Sequence, residues 1–188
     1  MEIAPTLYQI EAQVRAALDA PAPRHDTHNA FAPRPRIGWQ AGVIPSGARA
    51  AAALVLFYPV AHQVHVVLTR RAGTLGQHAG QVSLPGGAVD GDESVEAAAL
   101  REAREEIGLT VDVRVLGPLS PLYIPVSNFA LHPVVAVSDE RPRLTPALGE
   151  VERILEVSLD ELRHPDHLRQ GWRWREGQAG GHSETNGS

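Results

Sequence analysis

Apolar positions along the chain change period several times, and each change marks an element. Leu7, Ile10, Val14 and Leu18 recur at helical spacing, which predicts a short amphipathic helix over residues 6–19. Pro21, Pro23, Pro33, Pro35 and Pro45 then break residues 20–47 into an arm or linker laid over a surface. A continuous apolar run from Ala50 to Tyr58 predicts a buried strand, with Pro59 as its expected end. Val64 to Thr69 predicts a second strand, alternating around His65. A Gly-rich loop covers 72–80, and Gln81 to Leu84 predicts a short strand running into Pro85-Gly86-Gly87.

Residues 93–107 return to helical spacing. Asp90 and Asp92 are expected at the start of this helix, where negative charge suits the helix dipole, and Gly108 stands where a left-handed cap belongs. Strands are predicted at 111–116 and 131–137, with the proline-rich segment 119–129 as strand edge plus loop. A second helix fits either 148–156 or 159–163. Residues 176–188 are polar and Gly-rich and are expected to be disordered. Strands interleaved with helices point to an α/β class with a central mixed sheet. The organisation is an N-terminal helix and proline-rich arm over 1–47, a catalytic-sized domain over 48–175, and the tail.

Composition narrows the chemistry. With 188 residues and 43% hydrophobic content, one ordinary domain can bury a full core. The net charge of −5 argues against nucleic acid as the main partner but leaves room for a small anionic substrate met by local arginines or a metal. The chain has no cysteine, which excludes thiolate catalysis and cysteine-ligated zinc and suits a reducing, cytoplasmic setting. No apolar run approaches the roughly 18 residues a membrane span needs. The His25/His28 and His164/His167 pairs lack a third ligand nearby and read as surface residues.

The chemistry concentrates between Gly87 and Leu109. On a helical wheel Glu102, Glu105 and Glu106 share an arc of roughly 100°. Ala99, Leu100, Ala103 and Ile107 form the neighbouring apolar arc that would face the sheet. Charge runs on helices are usually solvated faces, but this one is built against its own electrostatics. Glu102 and Glu106 repel at i, i+4 by a few tenths of a kcal/mol, and all three acids sit at the helix end that disfavours negative charge. Arg101 offsets part of this through Glu105. A hard divalent cation, Mg2+ or Mn2+, would offset the rest.

Read outward, the segment is Gly87, five residues, Glu93, seven residues, then Arg101-Glu102-Ala103-Arg104-Glu105-Glu106-Ile107-Gly108-Leu109. It resembles the Nudix box at every defined position. The resemblance implies a Nudix-type α/β/α sandwich over 48–175. It implies metal ligation by Glu102, Glu105 and Glu106, with the Gly87 carbonyl as a further ligand, and an orienting salt bridge between Glu93 and Arg101. It implies hydrolysis of a pyrophosphate bond in a nucleoside diphosphate derivative, with Glu105, Glu102 or a loop residue, Glu150, as general base. A homodimer is the default assembly. A non-catalytic, nucleotide-sensing domain is the rival of another class, and three retained like charges speak against it.

Upstream, Leu68-Thr69-Arg70-Arg71 leads through Leu75-Gly76-Gln77-His78-Ala79-Gly80-Gln81-Val82-Ser83-Leu84 to Pro85-Gly86-Gly87. This resembles the segment that marks the coenzyme A pyrophosphatase branch of the family. It implies coenzyme A or its thioesters as substrate, with Arg71, His78, Gln81 and Arg70 on the substrate side. Arg70 and Arg71 also fit plain surface charges. Three positions depart from the branch pattern: Gly76 for arginine, Ala72 for serine and Leu84 for phenylalanine. The lost guanidinium is a natural phosphate partner, so ADP-ribose or dinucleotides are the alternative substrates. Branch members continue into a strand and a helix beyond the position of Trp174. The Gly-rich stretch here would leave Trp172 and Trp174 to drive self-association.

Overall fold

The computed structural model describes residues 5–20, 42–72, 80–164 and 166. Most of the proline-rich arm, His78, Gly76, the two C-terminal tryptophans and the tail lie outside them. Helix α1 (Leu7–Asp19) starts at Thr6, whose side chain and the Gln9 side chain cap each other's backbone amides. It buries Ile10 and lies against β1 (Arg49–Val60) and β5 (Arg114–Pro118). Arg114 ties it down by pairing with both Glu11 and Asp139.

The mixed sheet has β1 at its centre. β1 pairs parallel with β7 (Phe129–Val137) on one edge, and its other edge is shared by two antiparallel partners. β2 (Gln63–Arg71) takes residues 57–60, and β4 (Gly86–Ala88) takes residues 51–53. The β1–β2 hairpin therefore splays like a V beyond Phe57 and Val66. The chain fills the fork by descending along β2 as β3 (Val82–Ser83), kinking at the buried Pro85, and climbing along β1 as β4. β6 (Leu122–Ile124) extends the margin beside β7, and β8 (Val151–Ser158) pairs with β2.

Alternation along β1 separates its two faces. Ala52, Leu54, Leu56 and Tyr58 join Ala98, Ala99, Ala103 and Ile107 of helix α2 (Val95–Ile107) in the core. Alanines on both surfaces let α2 approach the sheet closely. Ala51 and Ala53 point the other way. No helix of the described residues is long and apolar enough to cross a membrane.

Several expectations are corrected. β1 continues through Pro59 to Val60, because β7 has already left that edge after Phe57, so a residue without an N–H interrupts no ladder there. α2 begins after Ser94, whose hydroxyl accepts from the Ala97 amide at 3.2 Å. Glu93, Asp90 and Asp92 lie in the turn ahead of it. β5 starts at Arg114, while Val111 and Val113 pack on the core without pairing. Residues 151–158 are a strand and not a helix. Val151, Ile154 and Leu155 mimic helical spacing because β8 is irregular where it passes Arg70 and Arg71. The helix is the alternative site, α3 (Leu159–Arg163). Gly86 and Gly87, into which the predicted strand runs, are themselves part of β4.

Gly86 is where the fork closes. A Cβ there would run into the Ala52 carbonyl and lie 2.6 Å from the Ala53 Cα, both backbone and unable to yield. Gly86→Ala is therefore expected to destabilise the fold by about 1–3 kcal/mol. Urea titration followed by circular dichroism would read this as a lower midpoint, and an unchanged midpoint would refute the tight β1–β4 contact.

Candidate active site

The site forms where the C-terminal half of α2 crosses β4. The Gly86 amide donates to Glu106 Oε2 at 3.1 Å. The Glu102 carboxylate packs directly on the Cα of Gly87, in space that any Cβ would occupy. Two acids one helical turn apart are thus laid against a glycine backbone. Arg101 is the counterweight. Its Nη2 lies 2.8 Å from Glu93 Oε1 and 3.0 Å from the Ala88 carbonyl, and its Nη1 lies 2.9 Å from Glu102 Oε1 and 3.2 Å from Glu105 Oε2. Asp90 completes the ring at 3.6 Å.

The electrostatics follow from this packing. Glu106 is raised to a pKa of about 7, by burial first and then by the charges of Glu102 and Glu150. The Gly86 amide and Arg71 oppose them without prevailing. The Arg101 hydrogen bonds, helped by the Asp90 amide, hold Glu93 below the ordinary carboxylate range, and the acids around Arg101 raise the guanidinium further still. Among the described residues no three carboxylates or imidazoles converge closely enough to share one ion. Glu102 and Glu106 face β4, whereas Glu105 turns toward Arg101 and leaves its side chain 58% exposed.

The loop after β7 brings Glu150 to the same place. Gly108 ends α2 in the left-handed region at φ 63° and ψ 34°. The last carbonyls of the helix are then met by this loop: Thr145 N donates to Ile107 O and Ala147 N to Glu106 O, each at 2.9 Å. The Glu150 carbonyl accepts from Ala72 N at 2.9 Å, tying the loop to the end of β2. Arg71 and Gln81 meet through a backbone bond of 2.9 Å and both line a cleft of about 540 Å3. Arg70 does not join them. It sits 3.4 Å from Glu152 on β8.

The floor of the cleft is Ala51 and Ala53, and one side of it is Gly86, Gly87 and Ala88. Its far wall is Ile124, Val126, Ser127, Phe129 and Leu131. Sequence reasoning missed that wall. No spacing links it to the glycines some 40 residues earlier. Only pairing of β6 and β7 with the sheet brings them together, leaving Val126 42% exposed at the cleft.

A family model described as NUDIX domain matches residues 48–176. The chain belongs to the Nudix family. The uncharacterized Nudix hydrolase NudL of Pectobacterium atrosepticum is 46% identical over 98 residues, covering 51% of this chain and 50% of that protein. The chain thus spans about half the length of the curated relatives it matches. The Nudix hydrolase RenU of M. smegmatis superposes with a TM-score of 0.53 at 27% identity, over 63% of this chain and 78% of that one. A C. elegans Ap4A hydrolase in a binary complex superposes with a TM-score of 0.51 at 20% identity, over 60% and 82% of the two chains, which speaks for the fold alone.

Within this Nudix frame the crowding of Glu106 has a measurable cost. Its folded pKa lies above the unfolded value, so the stability it contributes is present below about pH 4.5 and is lost as pH rises through about 7. Glu106→Gln keeps the acceptor for Gly86 and removes the charge. In chelator at pH 8 it is expected to be more stable by about 1–2 kcal/mol after allowance for solvent screening, and indistinguishable from the parent near pH 4. Thermal melts at the two pH values check this. A loss of stability at pH 8 would mean that Glu106 is not crowded.

Proposed function

We propose that this Nudix chain is a pyrophosphohydrolase. In this reading it uses Mg2+ or Mn2+ to cleave nucleoside diphosphate derivatives, with coenzyme A or acyl-coenzyme A as its leading substrate and 3′,5′-ADP and (acyl-)4′-phosphopantetheine as products. The observation that carries the hydrolase reading is the pair Glu102 and Glu106, held against the Gly86–Gly87 backbone with, among the described residues, Arg71 as the cation whose charge reaches Glu106. These residues fit a hard divalent ion: the donors are oxygens, the neighbouring glycine leaves room, and a desolvated carboxylate beside another is relieved by positive charge. Glu102 and Glu106 would hold it with the Gly87 carbonyl beside them, and Glu105 would have to leave Arg101 to join them. When bound, the ion neutralises phosphate oxygens and lowers the pKa of water.

The protein's own groups do the rest. Arg71 and Gln81 receive the phosphates at the cleft, and Arg101 holds Glu93, Glu102 and Glu105 in register. A carboxylate takes the proton as the water oxygen bonds to phosphorus and the bridging P–O bond breaks. Glu105 and Glu102 are both hydrogen-bonded to Arg101. Glu150 is the base candidate with no guanidinium on it among the described residues, and its charge reaches Glu106, so it becomes the favoured base. Coenzyme A rests on the segment from Leu68 to Gly87 and on a cleft with apolar walls. The second reading, ADP-ribose or a dinucleotide, rests on Gly76 standing where the branch carries arginine.

Purified protein with Mg2+ is expected to cleave coenzyme A in preference to ADP-ribose, NADH and nucleoside triphosphates, with products resolved by ion-pair chromatography. Glu106→Gln should lower kcat by about 100-fold or more. Glu150→Gln should lower kcat while leaving KM within a few-fold, and Glu105→Gln should do less. Cleavage confined to the other three substrates would remove coenzyme A. Tight binding without turnover in both Mg2+ and Mn2+ would favour a sensor.

A further inference from the structure

We propose that Arg49 is a second anion-recognising group of the cleft, receiving a phosphomonoester that the substrate carries apart from its pyrophosphate. This rests on the hydrolase reading and narrows its substrate to nucleotides with such a group on the ribose. Three observations point to it. Side chains two apart on a strand share a face. Arg49 is therefore on the face of β1 that carries Ala51 and Ala53, the floor of the cleft. Its guanidinium lies 4.3 Å from the centroid of Phe129, a wall of that cleft and its register partner on β7. Among the described residues Arg49 has no carboxylate partner, a condition it shares with Arg71 of the cleft and several other arginines, so its guanidinium is not committed to an ion pair as those of Arg70, Arg101, Arg114 and Arg141 are.

Stacking on an aromatic ring occupies the flat face of a guanidinium and leaves its N–H edges free for a bidentate contact with a phosphate. The mount is rigid. The Arg49 amide donates to the Asn128 carbonyl at 3.0 Å, and the Asn128 side chain donates to the Gly47 carbonyl at 3.0 Å. The spacing also suits one nucleotide. Gly87 is opposite Ala52 on β1, three residues and so roughly 10 Å from Arg49. By sheet order Arg71 and Arg49 lie on opposite sides of β4. One substrate can therefore present its pyrophosphate beside Gly87 and Arg71 and a separate phosphate to Arg49. Arg49 thus supplies a guanidinium for a second phosphate in a chain whose position 76 is glycine.

The test has a binding arm and a turnover arm. In the first, calorimetry in chelator compares 3′,5′-ADP with 5′-AMP, which differ only in the 3′-phosphate. The parent is expected to bind 3′,5′-ADP about tenfold more tightly or better. Arg49→Ala should erase that preference without weakening 5′-AMP, and Arg49→Lys should keep part of it. In the second arm, kcat/KM is compared for coenzyme A and dephospho-coenzyme A with Mg2+. Arg49→Ala should raise KM for coenzyme A about tenfold and leave dephospho-coenzyme A within twofold. Equal binding of the two nucleotides by the parent, or an equal loss for both in Arg49→Ala, overturns the role of Arg49 whatever the turnover. A preserved binding preference with no cleavage of either coenzyme, nor of ADP-ribose, NADH or nucleoside triphosphates, overturns the hydrolase reading and leaves the Arg49 contact standing.

Discussion

One guanidinium holds the site together. Arg101 reaches the Ala88 carbonyl on β4, Glu93 in the turn before α2, and Glu102 and Glu105 on α2 itself. Without it the carboxylates would repel one another, and the turn that carries Glu93 would have no anchor to the helix. The balance is deliberately incomplete. Arg101 does not reach Glu106, which is left desolvated and protonates far more readily than an ordinary glutamate. In the proposed reading a divalent ion beside Glu106 would recover the stability given up there.

The sheet supplies the other half of the arrangement. A regular β1–β2 hairpin would have closed the space now filled by β3 and β4. Because the two strands splay, a short kinked segment lies in the fork and presents two glycines between a helix on one face and a cleft on the other. Gly86 is demanded by β1 and Gly87 by Glu102, so adjacent glycines answer to different neighbours. The face of β1 turned from α2 is lined by small residues, and that leaves the volume of the cleft.

How much of this was legible depended on whether the cause was local. The helix carrying Glu102, Glu105 and Glu106 was readable because its apolar and acidic arcs and its terminal glycine lie within a few residues of one another, although its serine cap was not read. The helix reading of 148–156 failed because β8 pairs with β2 about 85 residues away, and an irregularity in that ladder disguised its period. Pro59 looked like a strand end, since nothing in its surroundings announces that β7 has already departed. Arg70 and Arg71 were indistinguishable as neighbours. Pairing put one beside Glu152 and the other in the cleft.

The sequence by itself determined the acidic helix and the Arg101–Glu93 spacing, because each depends on residues within two or three turns of chain. Only tertiary structure decided which carboxylates face β4, that the charge of Glu150 reaches them, and that Phe129 and Val126 border the cleft. Those neighbours are set by strand order and loop docking, and strand order is settled by burial summed over the whole sheet, which no local spacing records.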